Sequence, residues 1–179
     1  MVLTGAFHFD AEVDRLLKHA SENARKKDFN AAIEVMKKAL NKVWGSDVSY
    51  SFETYTKILP YFQKAGLYGD GIEFANKELI PKLVQSYEES GSTGRAFICL
   101  YVGKVFEKLA LNAKRENKVE DELFFTGRAK DMDDSYLKLM EVGKIEDLKA
   151  EYHEMLELFG RDHSKWPASI LKKFDTILR

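Results

Sequence analysis

Apolar residues recur every three or four positions along almost the whole chain, the period of a helix with one buried face, and the alternation that marks half-buried strands is poor throughout. A first helix is predicted to begin at Asp10, whose carboxylate suits an N-cap. Its apolar face is Val13, Leu16, Leu17, Ala20 and Ala24. It runs out in Arg25, Lys26 and Lys27, cations that suit the negative end of a helix dipole. Asp28 then caps a second helix with one clean stripe: Phe29, Ala32, Ile33, Met36, Ala39, Leu40 and Val43. So short a break forces the two helices back on each other as an antiparallel hairpin.

The segment from Gly45 to Ser51 reads as a loop. A third helix is expected from about Ser51 to Ala65, limited or kinked by Pro60. Gly66 to Gly71 reads as a tight turn, and Asp70 as the cap of a fourth helix carrying Ile72, Ala75, Leu79, Leu83 and Tyr87, with a bend at Pro81. Ser90 to Gly94 is the clearest loop, with Thr93 as the N-cap of a long fifth helix bearing Phe97, Ile98, Tyr101, Val102, Val105 and Leu109. A sixth helix is expected from about Val119 to Val142, with a break near Gly127 and a turn at Gly143. A seventh places Ile145, Leu148, Tyr152, Met155 and Phe159 on one face and stops at Gly160. Pro167 suits the first turn of a last helix, which buries Ile170, Leu171, Phe174 and Leu178. The expected architecture is all-α: one domain over residues 1–179, with about eight helices in an antiparallel helix-hairpin stack.

The segment from Asp28 to Leu40 resembles the second helix of a tetratricopeptide repeat, in Phe29 after Asp28, Ala32-Ile33, Met36 and the final Ala39-Leu40. Small alanines let the hairpin partner approach, and the large residues fill the gaps beside them. In the helix before it, Ala20 falls where the family has a small residue, whereas Asn23 stands where an aromatic is usual. A second copy is read in Tyr55, Ile58, Phe62, Gly66, Tyr68 and Ile72, with Gly71 and Glu78 replacing small alanines. The interval from Ala32 to Gly71 is longer than the family's usual repeat. A third copy starts around Gly103 and Phe106, and a fourth spans Leu139 to Leu156. The resemblance implies a curved α-solenoid that binds a protein or peptide along the first helices of its pairs. Carried onto this chain, the groove positions are Ser21 and Arg25, Thr56 and Gln63, and Leu100 and Lys104.

Composition narrows the classes. Hydrophobic residues make up 45% of the chain and charged residues 32%. That is enough for a core and a soluble surface, and too apolar for disorder. The net charge of -1 lacks the basic excess that nucleic acid demands, so no nucleic-acid partner is expected. No apolar run approaches the length of a membrane span, so no membrane partner is expected either. Met1 to Asp10 has neither the basic start nor the apolar core of a signal peptide. With Cys99 as the one cysteine, a cytoplasmic location is the simplest expectation.

The motifs that carry chemistry are weak. His153-Glu154 opens like a zinc-protease helix, but Glu157 stands where the second histidine belongs. His153 and Glu157 share a face, and two ligands do not make a site. Asp131, Asp133 and Asp134 do not start a calcium loop, because Tyr136 and Val142 occupy its glycine and glutamate positions. Gly91 to Arg95 lacks the Lys-Ser/Thr ending of a phosphate loop. Cys99 lies in an apolar run and reads as a buried small hydrophobe. No enzyme, cofactor or metal is therefore expected. Tyr50, Tyr55, Tyr61 and Tyr68 read as packing between hairpins, ahead of a role as exposed partner anchors.

Charge is uneven along the chain. Between Glu116 and Asp134 acids dominate, with Glu120, Asp121 and Asp133 among them, and from Arg161 to Arg179 bases dominate. The acidic stretch would suit a basic partner cleft, such as that of a nuclease toxin. With no catalytic domain, anchor or tail read beside the array, the functional expectation is a module that inhibits or chaperones one protein partner, most concretely a bacterial toxin-neutralising immunity protein. The alternative is a small-molecule or peptide-sensing helical-repeat regulator; a helical-bundle enzyme is a third class.

Overall fold

The structure, a computed structural model, describes residues 10–46, 50–87 and 91–178. Parts of two expected loops, 47–49 and Ser90, lie outside these residues, as do Met1–Phe9 and the side chain of Leu178. Every element among the described residues is helical: α1 (Ala11–Arg25), α2 (Phe29–Trp44), α3 (Phe52–Thr56), α4 (Leu59–Lys64), α5 (Tyr68–Phe74), a π-helical segment (Ala75–Leu79), α6 (Ile80–Tyr87), α7 (Gly91–Arg115), α8 (Val119–Phe159), a 3-10 turn (His163–Lys165), α9 (Ala168–Lys173) and α10 (Asp175–Leu178).

The first hairpin follows its pattern. Asp10 accepts from the backbone N–H groups of Glu12 and Val13 at 2.9 and 3.1 Å, and Asp28 accepts from Ala31 at 3.0 Å. Each satisfies amides that a helix start leaves open. Ala32, Ile33, Met36, Ala39, Leu40 and Val43 are all buried.

Three interhelical turns share one construction. Lys27, Gly66 and Asn117 each take a left-handed conformation, with φ of 63°, 75° and 56°. The next residue in each case sends its N–H back five positions: Asp28 to Asn23 at 3.0 Å, Leu67 to Phe62 at 2.9 Å and Lys118 to Ala113 at 2.9 Å. This is the long bond of a Schellman end, which closes one helix and launches the next in reverse. Among the described residues these turns make three helical hairpins: α1/α2, α4/α5 and α7/α8.

The second hairpin is broken by its prolines. Pro60 cannot donate to a preceding turn, so α3 stops at Thr56 and α4 restarts at Leu59 with Pro60 in its first turn. Pro81 acts on the other arm. In place of a simple bend, the helix adopts a π segment just before it, in which Ile80 N–H reaches Ala75 O. The wider turn absorbs the donor that Pro81 lacks. Asp70 is no cap: the helix already starts at Tyr68, after Leu67.

α7 packs against α3, α4, α5 and α6 on one side and along α8 on the other. It begins at Gly91, so Thr93 is inside the helix and not an N-cap, and the expected Gly91–Gly94 loop is helical. The expected breaks near Gly127 and at Gly143 do not occur either: α8 is one helix of 41 residues. Gly143 is buried within it, and a Cβ there would lie 2.5 Å from Thr93 Oγ1. At Gly103 a Cβ would meet Met132 Cβ at 3.2 Å. Close contact with α7 therefore holds α8 together where glycine alone would weaken it.

The apolar stripe of α8 changes face past this point. Phe125, Ala129, Met132 and Gly143 face α7, but Glu146 and Asp147, which would continue the stripe, are exposed. Ser92 donates to Glu146 at 2.9 Å, which marks the start of α7. Beyond it α8 carries a second stripe, Leu148, Tyr152 and Met155, under the C-terminal turns. There Trp166 and Phe174 are buried against Tyr152 at ring distances of 5.7 and 5.4 Å. Of the other residues expected to be buried here, Ile170 and Leu171 are only half-buried, because this short helix covers a small face. This small core is separate from the main one.

The candidate groove

α2 and the α5–π–α6 arm run side by side in the same direction. At one end Lys64 Nζ sits 5.6 Å over the Phe29 ring, just before the turn into α5. At the other, Trp44 stacks on Tyr55 at 4.8 Å, Tyr55 meets Tyr101 at 5.6 Å, and Tyr101 stacks on Tyr87 at 5.6 Å. Between the two arms lies an open groove of about 580 Å³. Its floor is apolar: Ile33 and Leu40 from α2, Phe62 from α4, Phe74 from α5 and Leu79 from the π segment. Phe62 and Phe74 lie 5.5 Å apart, and Gly71 is what lets them meet: a Cβ on Gly71 would stand 2.9 Å from Phe62 Cβ. Leu67, 36% exposed, lies at the mouth.

The rims are charged in the same order on both sides. On α2, Glu34 precedes Lys37, with 3.3 Å between them; on the opposite arm Glu73 precedes Lys77, at 2.6 Å. Lys77 holds the Glu73 carboxyl below its usual range, and is itself raised, through that shared hydrogen bond. Asp70 adds charge at the acidic end, and Lys82 and the exposed Glu78 line the groove at the other. Lys37 also lies 5.7 Å over the Phe62 ring.

In comparisons with other proteins, no family model, no curated protein and no solved structure matches this chain.

The residues expected to contact a partner lie elsewhere; none of them lines this groove. Ser21 donates to Leu17 O at 2.7 Å and accepts from Lys57 Nζ at 2.8 Å. Arg25 is exposed at the end of α1. Thr56 is 1% exposed and its hydroxyl donates to Phe52 O at 2.9 Å, so it offers nothing to a partner. Gln63 donates to Glu116 at 2.7 Å. Leu100 is half-buried. Lys104 bonds Glu107 at 2.6 Å and lies 5.8 Å over the Phe52 ring.

The acids of α8 do not form one patch. Glu120 and Asp133 are both exposed. At 1.5 Å of rise per residue they are separated along the helix by roughly 20 Å, and they face different sides. Asp121 is half-buried and accepts from Tyr68 Oη at 2.9 Å. Burial first, and that carboxylate second, push the Tyr68 hydroxyl up.

The four tyrosines pack between elements, as the pattern implied. Tyr55 and Tyr61 are buried, and Tyr50 and Tyr68 are half-buried. Tyr101 Oη donates to Tyr50 O at 3.1 Å. Cys99 is half-buried, not fully so, and burial pushes its thiol up, away from the reactive thiolate. His153 donates through Nδ1 to Lys149 O at 2.7 Å. No group of three or more potential metal ligands occurs among the described residues. No helix there is long and apolar enough to cross a membrane.

The sequence did hold a signal for the groove. Trp44 and Phe74 extend their stripes into wider apolar arcs than one hairpin partner needs. An arc that wide leaves apolar surface for a further neighbour.

Proposed function

We propose that this chain binds one protein partner and acts by occupying it, as an inhibitor or a chaperone. The observation that carries this reading is the open groove between α2 and α5–α6, with its apolar floor and charged rims. Grooves between two helices commonly take a segment of another protein. The resemblance of the segment from Asp28 to Leu40 to a tetratricopeptide repeat, a family of binding arrays, points the same way.

The most concrete version is a toxin-neutralising immunity protein. The test is capture of the tagged chain with its partner from native lysate over a salt series, followed by stoichiometric addition to the isolated partner. One dominant equimolar partner whose activity is lost on addition supports the reading. If the folded protein captures no partner, it is wrong. Charge reversal at the exposed Glu120 and Asp133, each by itself, tests the acidic helix as a second contact, and unchanged affinity removes it.

A second reading has one observation behind it. The groove volume falls within the range typical of small-ligand pockets. A regulator that senses a small molecule or short peptide would give a saturable thermal shift with that ligand and no captured protein.

A further inference from the structure

We infer that the groove takes one amphipathic helix of the partner in a fixed direction, with its acids first and its bases last, running antiparallel to α2. This inference rests on the protein-binding reading above and names the chemistry of the segment bound.

The argument begins with length. The groove follows α2 from Asn30 to Trp44. At 1.5 Å of rise per residue that is about 21 Å, which fits a helix of about four turns. Two neighbouring helices leave between them a trough in which a third helix seats its side chains as ridges into grooves. Leu67 and the half-buried Phe74 and Trp44 give that third helix apolar surface to bury, over a floor in which Phe62 is already covered.

Charge then sets direction. Glu34, Asp70 and Glu73 crowd the end where α5 begins, whereas toward the end where α6 begins Lys77 and Lys82 outnumber the one acid there, Glu78. The ion pairs Glu34–Lys37 and Glu73–Lys77 are exposed, so they contribute little on their own and can exchange partners with an incoming segment. A segment complementary to both ends carries bases over Asp70 and acids over Lys77 and Lys82. Helices favour acids in the first turn and bases in the last. Such a helix meets the groove only with its first turn at the α6 end, antiparallel to α2 and α5.

Trp44 lines the α6 end of the groove and, with the second tryptophan silenced by Trp166→Phe, reports on which end of a probe arrives there. The probe is a synthetic helical peptide of about four turns. It carries leucine and phenylalanine at positions 4, 8, 11 and 15 (the i, i+4, i+7 spacing of one helix face), with glutamates in the first turn and lysines in the last. One version carries a fluorescence quencher at its N-terminus and one at its C-terminus.

The expected result is saturable binding, with Trp44 emission quenched several-fold more by the N-terminal label. Lys77→Glu with Lys82→Glu, both on the rim, weakens binding at least tenfold, and Lys138→Glu, exposed on α8 outside the groove, leaves it unchanged. Equal quenching from both ends, or stronger quenching from the C-terminal label, overturns the direction. No saturable binding overturns the helix-in-groove inference and leaves the groove to smaller ligands. The two readings fail separately: a natural partner still captured by the Lys77→Glu, Lys82→Glu variant sinks the groove assignment alone, and no captured partner at all sinks the protein-binding reading.

Discussion

Gly143 of α8 presses against Thr93 of α7 so closely that a Cβ at position 143 would stand 2.5 Å from Thr93 Oγ1 and 3.3 Å from its backbone nitrogen. The backbone atom cannot step aside as a side chain can. Gly143→Ala is therefore expected to push the helices apart and to cost about 1–3 kcal/mol, the usual penalty of overpacking. Gly127 of the same helix is exposed and has nothing within 4 Å of an added Cβ. Gly127→Ala should stabilise by up to about 1 kcal/mol, because alanine holds a helix better than glycine. Thermal unfolding of the two variants checks the pair. Loss of stability in both would mean that α8 is strained for some other reason than the Thr93 contact.

The three hairpin turns yield a graded prediction. Left-handed backbone costs a residue with a Cβ about 1–2 kcal/mol, less for asparagine, and glycine almost nothing. Lys27→Gly should stabilise the protein by up to about 1 kcal/mol, and Asn117→Gly by less. At Gly66 φ is 75°. Gly66→Ala should therefore destabilise by about 1–2 kcal/mol. Denaturant midpoints of the three variants should fall in that order, and a Lys27→Gly protein less stable than the parent contradicts it.

What the sequence disclosed follows from how local each determinant is. Asp10 and Asp28 cap their own helices, and the α2 stripe buries as a unit, so the first hairpin could be read in full. Gly143 and Thr93 misled because their local preferences, break and cap, yield to a contact between residues far apart in the chain. Gly127 misled for a related reason: the residues around it are held helical by Phe125 and Ala129 packed under α7. Trp44 and Phe74 hint at spare apolar surface, but the groove itself could not be assembled from the sequence because its walls come from different hairpins. Ile33, Phe62 and Phe74 each look like ordinary core residues until α2 and α5 are placed side by side. Ser21, Thr56 and Gln63 match the groove positions of a repeat pattern, but here their polar groups bond within the protein.

Alkaline pH should unfold the middle of the molecule. Burial raises the Tyr55 hydroxyl to about 12, and burial also pushes up Tyr61, Tyr68 and Tyr101. A tyrosine raised in the folded state contributes stability that is complete below its unfolded value of about 10 and is lost as pH climbs through the folded value. Stability measured by denaturant should thus be flat up to about pH 9 and fall between about 10 and 12. Tyr55→Phe should make that fall shallower. A fall of unchanged steepness in the variant would assign it to other groups.

The C-terminal turns should come apart without the rest. Trp166 and Phe174 are buried against Tyr152, on a part of α8 that lies beyond the start of α7. Trp166 also donates through Nε1 to Gly160 O at 2.9 Å, and His163 packs edge-on against its ring at 4.7 Å. An exposed ion pair between Lys173 and Glu151 adds little. Removing one large aromatic from a core typically costs about 3–5 kcal/mol, which a cluster this small has little stability to absorb. Trp166→Ala is expected to release residues 160–178 and fray α8 back toward Glu146, while α1 to α7 keep their protection. Amide hydrogen exchange resolves the two regions. Rapid exchange confined to the C-terminal residues fits two separate cores; protection lost equally in α2 and α4 would mean that the main core depends on Trp166.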